Sequence, residues 1–199
     1  AVKDAEVSLF KLGVNPDKKL VWFVGTFGHT YDLLPVIEAA HHLKHRDDIQ
    51  FVFTGDGEKS AEWRRQAAGL ENVVFTGWVN KAGLDYLSSI SSIGLMAYKE
   101  GAPQGLPNKV FEYMSAGLPI LSSLQTETRD LLEINNIGFT YVANDVKSFL
   151  SNLKKLIDDP VCIEKMGNNA QALFDEKYSS SIVYREMVKY LTEVVAESD

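Results

Sequence analysis

The stretch "LVWFVGTFGHTYDLLPVIEAAHHLKH", Leu20 to His45, decides the fold. Its first five residues are continuously apolar, the pattern of a strand buried on both faces rather than one. Gly25 ends the run. After a short loop, Leu34, Ile37 and Leu43 fall roughly on one helical face, with Pro35 acceptable only within the first turn. A fully buried strand feeding an amphipathic helix is the building unit of a parallel sheet.

The unit recurs along the chain. "IQFVFTG" (Ile49 to Gly55) is followed by "EKSAEWRRQAAG", closed by Gly69. "NVVFTG" precedes "NKAGLDYLSSI", which Asn80 is placed to cap. "SIGLMAY" leads to "PNKVFEYMSAG", "LPILSS" to "TETRDLLEINN", and "GFTYVA" reads as a short last strand. From Val146 three helical segments follow with no strand between them, separated at Asp159-Pro160 and at Tyr178 to Ser180. The opening "AVKDAEVSLFKLGVNPDKK" reads as a polar lead-in to the first strand. The alternation predicts an α/β, Rossmann-like, doubly wound parallel sheet of about six strands, with helices on both faces and a helical C-terminus, as one domain over residues 1–199. Such sheets bind ligands beyond the carboxyl ends of their strands.

Composition narrows the function. Apolar residues make up 45% of 199, enough for a sizeable core, and the net charge of −7 argues against a general binder of nucleic acid or membrane surface. Cys162, the single cysteine, excludes an internal disulfide and a Cys-based zinc cluster and fits a reducing, cytoplasmic setting. No apolar run approaches the ~20 residues of a membrane span, and no charged-then-apolar signal segment opens the chain. Without an initiator Met the chain reads as a fragment.

The loops after the strands are the candidate site. In "GTFGHTYD", Gly25 and Gly28 let backbone approach an anion beside a helix N-terminus, with Thr26 and Phe27 between them; a tight strand-to-helix turn explains the same glycines. The loop is neither G-x-G-x-x-G nor a P-loop. His29 lies in it and is a better candidate than His41 and His45, whose i, i+4 spacing in "HHLKH" suits a polar helix C-terminus more than a metal. Gly55 and Gly57 in "GDGE" form a turn that also lets a ligand pass, and Asp56 alone is a weak metal carboxylate. Trp78 reads chiefly as core, or as the wall of a base pocket, and the backbone of Val79 is placed to read a base edge.

"GAPQGLPNKVFEYMSAGLP" (Gly101 to Pro119) is the most informative loop and helix. With Pro107 as an early helical residue, Val110, Phe111 and Met114 should face the sheet, and Lys109, Glu112 and Tyr113 the other side. An exposed Lys109–Glu112 ion pair would be worth a few tenths of a kcal/mol in the poorer order. Lys109 also opposes the helix dipole. A phosphate at the helix N-terminus would reverse that penalty, while Glu112 could accept hydrogen bonds from sugar hydroxyls.

These motifs resemble, in order, the C-terminal donor-binding domain of GT-B-fold retaining glycosyltransferases of the family-four type, the glycosyl transferases group 1. The resemblance runs from about Leu20 to Gly138. It implies a nucleoside-diphosphate sugar donor and no metal or other cofactor. The diphosphate would lie at the loop after the first strand, the base at Trp78 and Val79, and the ribose at Glu112. Sugar and phosphates would fall to Gln104, Gly105, Leu106, Pro107, Asn108 and Lys109. It also implies a missing N-terminal acceptor domain, approached by Val183, Met187 and Leu191 of the last helix, and peripheral membrane association of the full enzyme. The "LPNK" form resembles a branch acting in surface-polysaccharide assembly. Three positions depart from the family's pattern: Gln104 stands where a glutamate is usual, and Thr26 and Tyr31 where phosphate-binding Arg and Lys are. Lys109 is the remaining cation, so Lys109 and Gln104 are the candidate catalytic residues. Gln104 and the lost cations motivate a competing reading, a non-catalytic nucleotide-sugar-binding or regulatory module. A nicotinamide-dependent dehydrogenase is disfavoured by the missing glycine fingerprint.

Overall fold

The computed structural model describes residues 2–185, 187 and 188. Six strands form one sheet: β1 (Lys19–Val24), β2 (Ile49–Thr54), β3 (Val73–Gly77), β4 (Ile93–Met96), β5 (Ile120–Ser122) and β6 (Gly138–Thr140). Their order is β3-β2-β1-β4-β5-β6, and every pairing is parallel. The helices are α1 (Val2–Lys11), α2 (Leu34–His42), α3 (Ser60–Gln66), α4 (Lys81–Ile90), α5 (Asn108–Ser115), α6 (Glu127–Ile134), α7 (Val146–Ile157) and α8 (Pro160–Leu173). A π-helical turn over Phe174–Tyr178 follows α8, and helix resumes over 180–185.

The apolar run of β1 serves two cores. Val21 and Phe23 pack beneath α2, α3 and α7 with Ile37, Trp63 and Phe149. Leu20 and Trp22, pointing the other way, pack beneath α1, α4, α5, α6 and α8 with Leu87, Val110, Tyr113 and Leu132. This alternation is the strand's period of two. The helix starts follow local chemistry. The Asn80 side chain accepts from the Gly83 N–H at 3.0 Å, and Asp159 accepts from Val161 and Cys162, with Pro160 at the first helical position.

Two expectations about elements fail. The segment before β1 is not a polar lead-in but the helix α1, which packs on α4 through Leu9. Leu9 is its one buried residue. Pro107 is not helical either: at φ −70° and ψ 151° it is the extended residue before α5. The helix presents a different face to the sheet. Lys109 and Tyr113 are buried with Val110 and Met114, whereas Phe111 is only half-buried and Glu112 is exposed.

The order reverses at β1 and β4, which are neighbours although two strands separate them in sequence. The crevice beyond their carboxyl ends lies between the loop after β1 and the N-terminus of α5.

Candidate functional site

Lys109 stands at the centre of that crevice. It is 8% exposed, in the first turn of α5, where unsatisfied N–H groups already make the field positive. Its Nζ lies 5.2 Å from the centre of the Phe23 ring and 5.5 Å from that of Tyr31. It is also 3.2 Å from where a Cβ on Gly25 would stand. No carboxylate among the described residues forms an ion pair with it, and burial pushes its ammonium down to about 8, partly opposed by the field of Glu112. The two rings give weak cation–π support but no hydrogen-bond acceptor. A desolvated cation of this kind costs stability that a nearby anion would offset.

The loops after β1 and β2 form the next wall. A Cβ on Gly57 would stand 2.6 Å from the Phe27 carbonyl oxygen, and one on Gly55 would overlap the Gly25 carbonyl. Close packing of the two loops thus accounts for both glycines. Phe27 is a correction to its assignment as a ligand contact. Its ring is fully buried against Phe23, Trp63 and Phe75, and its N–H donates to Asp56 while its carbonyl accepts from Lys59. It anchors the loop, leaving Gly25, Thr26 and Gly28 at the crevice. His29 is exposed, with Nε2 3.1 Å from Glu58 Oε1, and ties the loop tips together. Asp56 accepts from the Gly57 N–H and the Ser60 hydroxyl, which occupies it as a turn residue.

The loop before α5 is held from the side. Thr126 Oγ1 donates to the Gln104 carbonyl at 2.8 Å, and the Thr128 N–H donates to the Gly105 carbonyl at 3.1 Å. The Gln104 side chain turns inward, with Oε1 buried and without a partner. Leu106 and Asn108 are exposed and Gly105 and Pro107 half-buried, along the path toward Lys109.

Glu112, one turn beyond Lys109, opens onto a groove of about 350 Å³ between α4 and α5, floored by Trp22, Val24 and Tyr113 and walled by Leu84. Sequence reading missed this groove. Its only signal was the i, i+3, i+4, i+7 set Lys81, Leu84, Asp85 and Ser88 along α4. Trp78 does not line it. Contrary to the core expectation this residue is 62% exposed, and with Val79 it borders a separate cavity against Leu9 of α1 and Leu12 just beyond that helix. His41 Nε2 lies 3.3 Å from the Gln66 carbonyl, and His45 lies beyond the end of α2. Among the described residues no group of three or more His, Cys, Asp or Glu comes together to hold a metal, and no helix is long and apolar enough to cross a membrane.

The fold is a doubly wound α/β sheet, with a cation at its switch point that is buried and without an ion-pair partner among the described residues. A sequence model of the family described as glycosyl transferases group 1 matches residues 4–173, and the chain belongs to that family. It is 27% identical over 182 residues to alpha-D-kanosaminyltransferase of Streptomyces kanamyceticus, covering 86% of this chain and 46% of that protein. It is 25% identical over 96 residues to the capsular polysaccharide biosynthesis glycosyltransferase CapM of Staphylococcus aureus, covering 48% of this chain and 25% of that one. The fold matches Anabaena Alr3699/HepE in complex with UDP and glucose at a TM-score of 0.78, with 17% identity, over 97% of this chain and 53% of that one. The chain thus spans less than half the length of the curated relatives it matches.

Proposed function

We propose that this chain is the donor-binding half of a GT-B glycosyltransferase, which binds a nucleoside-diphosphate sugar at the crevice between β1 and β4. The observation that carries the reading is the buried ammonium of Lys109 without an anionic partner, beside Gly25 and the N-terminus of α5. A diphosphate placed there meets the ammonium, the first-turn N–H groups and the helix dipole together. The ribose then falls to Glu112 and the base to the α4–α5 groove or the backbone at Val79. In the whole enzyme the sugar passes to an acceptor held by a second domain, with retention of configuration. Lys109 and the helix N-terminus stabilise the charge that grows on the departing diphosphate, the electrostatic part of the catalysis; the proposal assigns no step to a metal. Nucleotide-bound and polysaccharide-forming proteins among its relatives support the donor class and a role in surface-polysaccharide assembly. The same reading places the protein in the cytoplasm, with peripheral membrane contact through its acceptor.

Titration calorimetry of the chain with UDP and with GDP tests the site. Lys109→Met should weaken the tighter nucleotide at least tenfold, the order expected for a desolvated charge-assisted contact. Equal binding by the variant, or none by the folded parent chain, defeats the proposal. Gln104 favours a second reading, a binding or regulatory module without transfer activity, because its buried amide supplies no carboxylate. Transfer by the full-length protein, compared with Gln104→Ala, separates the two: a parent without activity supports the module.

A further inference from the structure

Gly105 has a property that backbone conformation does not explain. Its φ lies outside the left-handed region, yet a Cβ there would stand 2.7 Å from Glu127 Oε2 and 3.1 Å from Glu127 Cδ. Glycine at this position makes room for a carboxylate lying against the loop. Glu127 is the first residue of α6, between the two threonines that bind the loop: Thr126 bonds the carbonyls of Gln104 and Gly105, and the Thr128 N–H bonds that of Gly105. Its carboxylate has no cation and no hydrogen-bond donor among the described residues. Glu127 is exposed, and a first-turn acid complements the dipole of α6, but that role needs no glycine beneath it.

We propose that Glu127 binds the donor sugar, accepting hydrogen bonds from adjacent hydroxyls. The proposal rests on the donor reading above and adds the residue that recognises the sugar. Lys109 fixes the diphosphate end of the ligand. Gly105 lies four residues upstream, at most ~14 Å along the chain, within the span of a hexose attached to that diphosphate. A carboxylate would repel phosphate, so its place is at the other end, with the sugar. An ionised carboxylate offers two acceptor-only oxygens, which suits a pair of neighbouring hydroxyls, and charged acceptors bind more strongly than an amide. Gln104 beside it does not fill this role, since its Oε1 is turned away into the protein.

The test compares each nucleoside diphosphate with its sugar conjugates on the 199-residue chain. Calorimetry is run with UDP, UDP-glucose, UDP-galactose, UDP-N-acetylglucosamine, GDP and GDP-mannose. For the best-bound sugar nucleotide, Glu127→Gln should weaken binding about tenfold, with the parent nucleoside diphosphate changed less than twofold. Glu127→Ala, which removes the carboxylate and leaves the loop backbone as it is, should show the same split. A variant that loses affinity equally for both ligands, or for neither, overturns the assignment and leaves Glu127 as a helix-dipole residue. Nucleoside diphosphates that bind while every sugar conjugate fails overturn it as well but leave the donor site standing. No binding of any nucleotide brings down the donor reading, and this proposal with it.

Discussion

At the residue scale, Lys109 trades stability for binding. Burial lowers its pKa from 10.5 to about 8. The unfolded chain therefore holds the proton more tightly, and stability rises with pH between those two values. Below pH 8 the ammonium is charged in both states and its desolvation cost is present in full. Lys109→Met should thus stabilise the free chain at neutral pH by about 1–3 kcal/mol, an order-of-magnitude figure from the size of the shift. Urea unfolding at neutral pH and again above the upper value checks this, since the advantage should shrink at the higher pH. A bound diphosphate returns an anion to the ammonium and raises its pKa again. Near pH ~9 nucleotide binding should therefore take up to about one proton, seen as a buffer-dependent binding enthalpy that the methionine variant lacks. Binding of equal strength from neutral pH to well above 8 would remove Lys109 from the site. The sequence made this residue conspicuous because its charge is wrong for a helix start. It did not disclose the burial, which depends on Phe23 and Tyr31, contributed by β1 and the loop after it.

At the element scale, the position of α5 depends on Gly94. The Tyr113 ring lies where any Cβ on Gly94 would stand, and its single hydroxyl proton is shared between the Trp22 and Leu95 carbonyls, each 3.1 Å away. The ring thus reaches over β4 and locks α5 onto the sheet, with Lys109 and Glu112 on the same helix. Gly94→Ala cannot be absorbed by a flexible side-chain tip, because the clash is with the ring itself. Overpacking of this kind should cost about 1–3 kcal/mol and shift α5, weakening nucleotide binding along with stability. Tyr113→Phe keeps the ring and loses only the shared hydroxyl hydrogen bond, so it should cost about 1 kcal/mol and leave binding nearly intact. Urea unfolding and calorimetry on both variants distinguish displacement of the helix from simple destabilisation. The face of α5 was misread from sequence because Lys109 and Tyr113, with their polar tips, were set on the outer side, whereas the buried residues are Val110, Tyr113 and Met114 at i, i+3 and i+4 with Lys109 beside them. The strands were legible because their apolar runs are continuous. α1 was not, because it buries Leu9 alone and leaves Val2, Val7 and Phe10 exposed. The exposure of Trp78 was not legible either, since large aromatic residues at strand ends usually lie inside.

At the scale of the whole molecule, the donor crevice has one side. β1, β4 and α5 supply its floor and cation, and the loops after β1 and β2 one wall. The sugar end proposed at Glu127 is exposed. Transfer needs water excluded and an acceptor brought to the sugar, which is the work proposed for a second domain. The terminal helix offers a contact surface: Val183, Tyr184 and Met187 are each at least half exposed, while Leu191, expected on the same face, lies outside the described residues. If that face meets the acceptor half, a charge placed on it acts at a distance from the donor site. In the full-length protein Val183→Asp with Met187→Asp should lower the transfer rate at least about tenfold, the effect of a buried unpaired charge on closure of the two halves. In the 199-residue chain the same pair should leave nucleoside-diphosphate affinity unchanged, because Lys109 and the loop after β1 are untouched. Unaltered transfer by the double variant would detach this helix from the acceptor half. Loss of nucleotide binding in the short chain would instead show that the helix supports the donor site through Phe111, which packs on Tyr178 at 4.9 Å between ring centres.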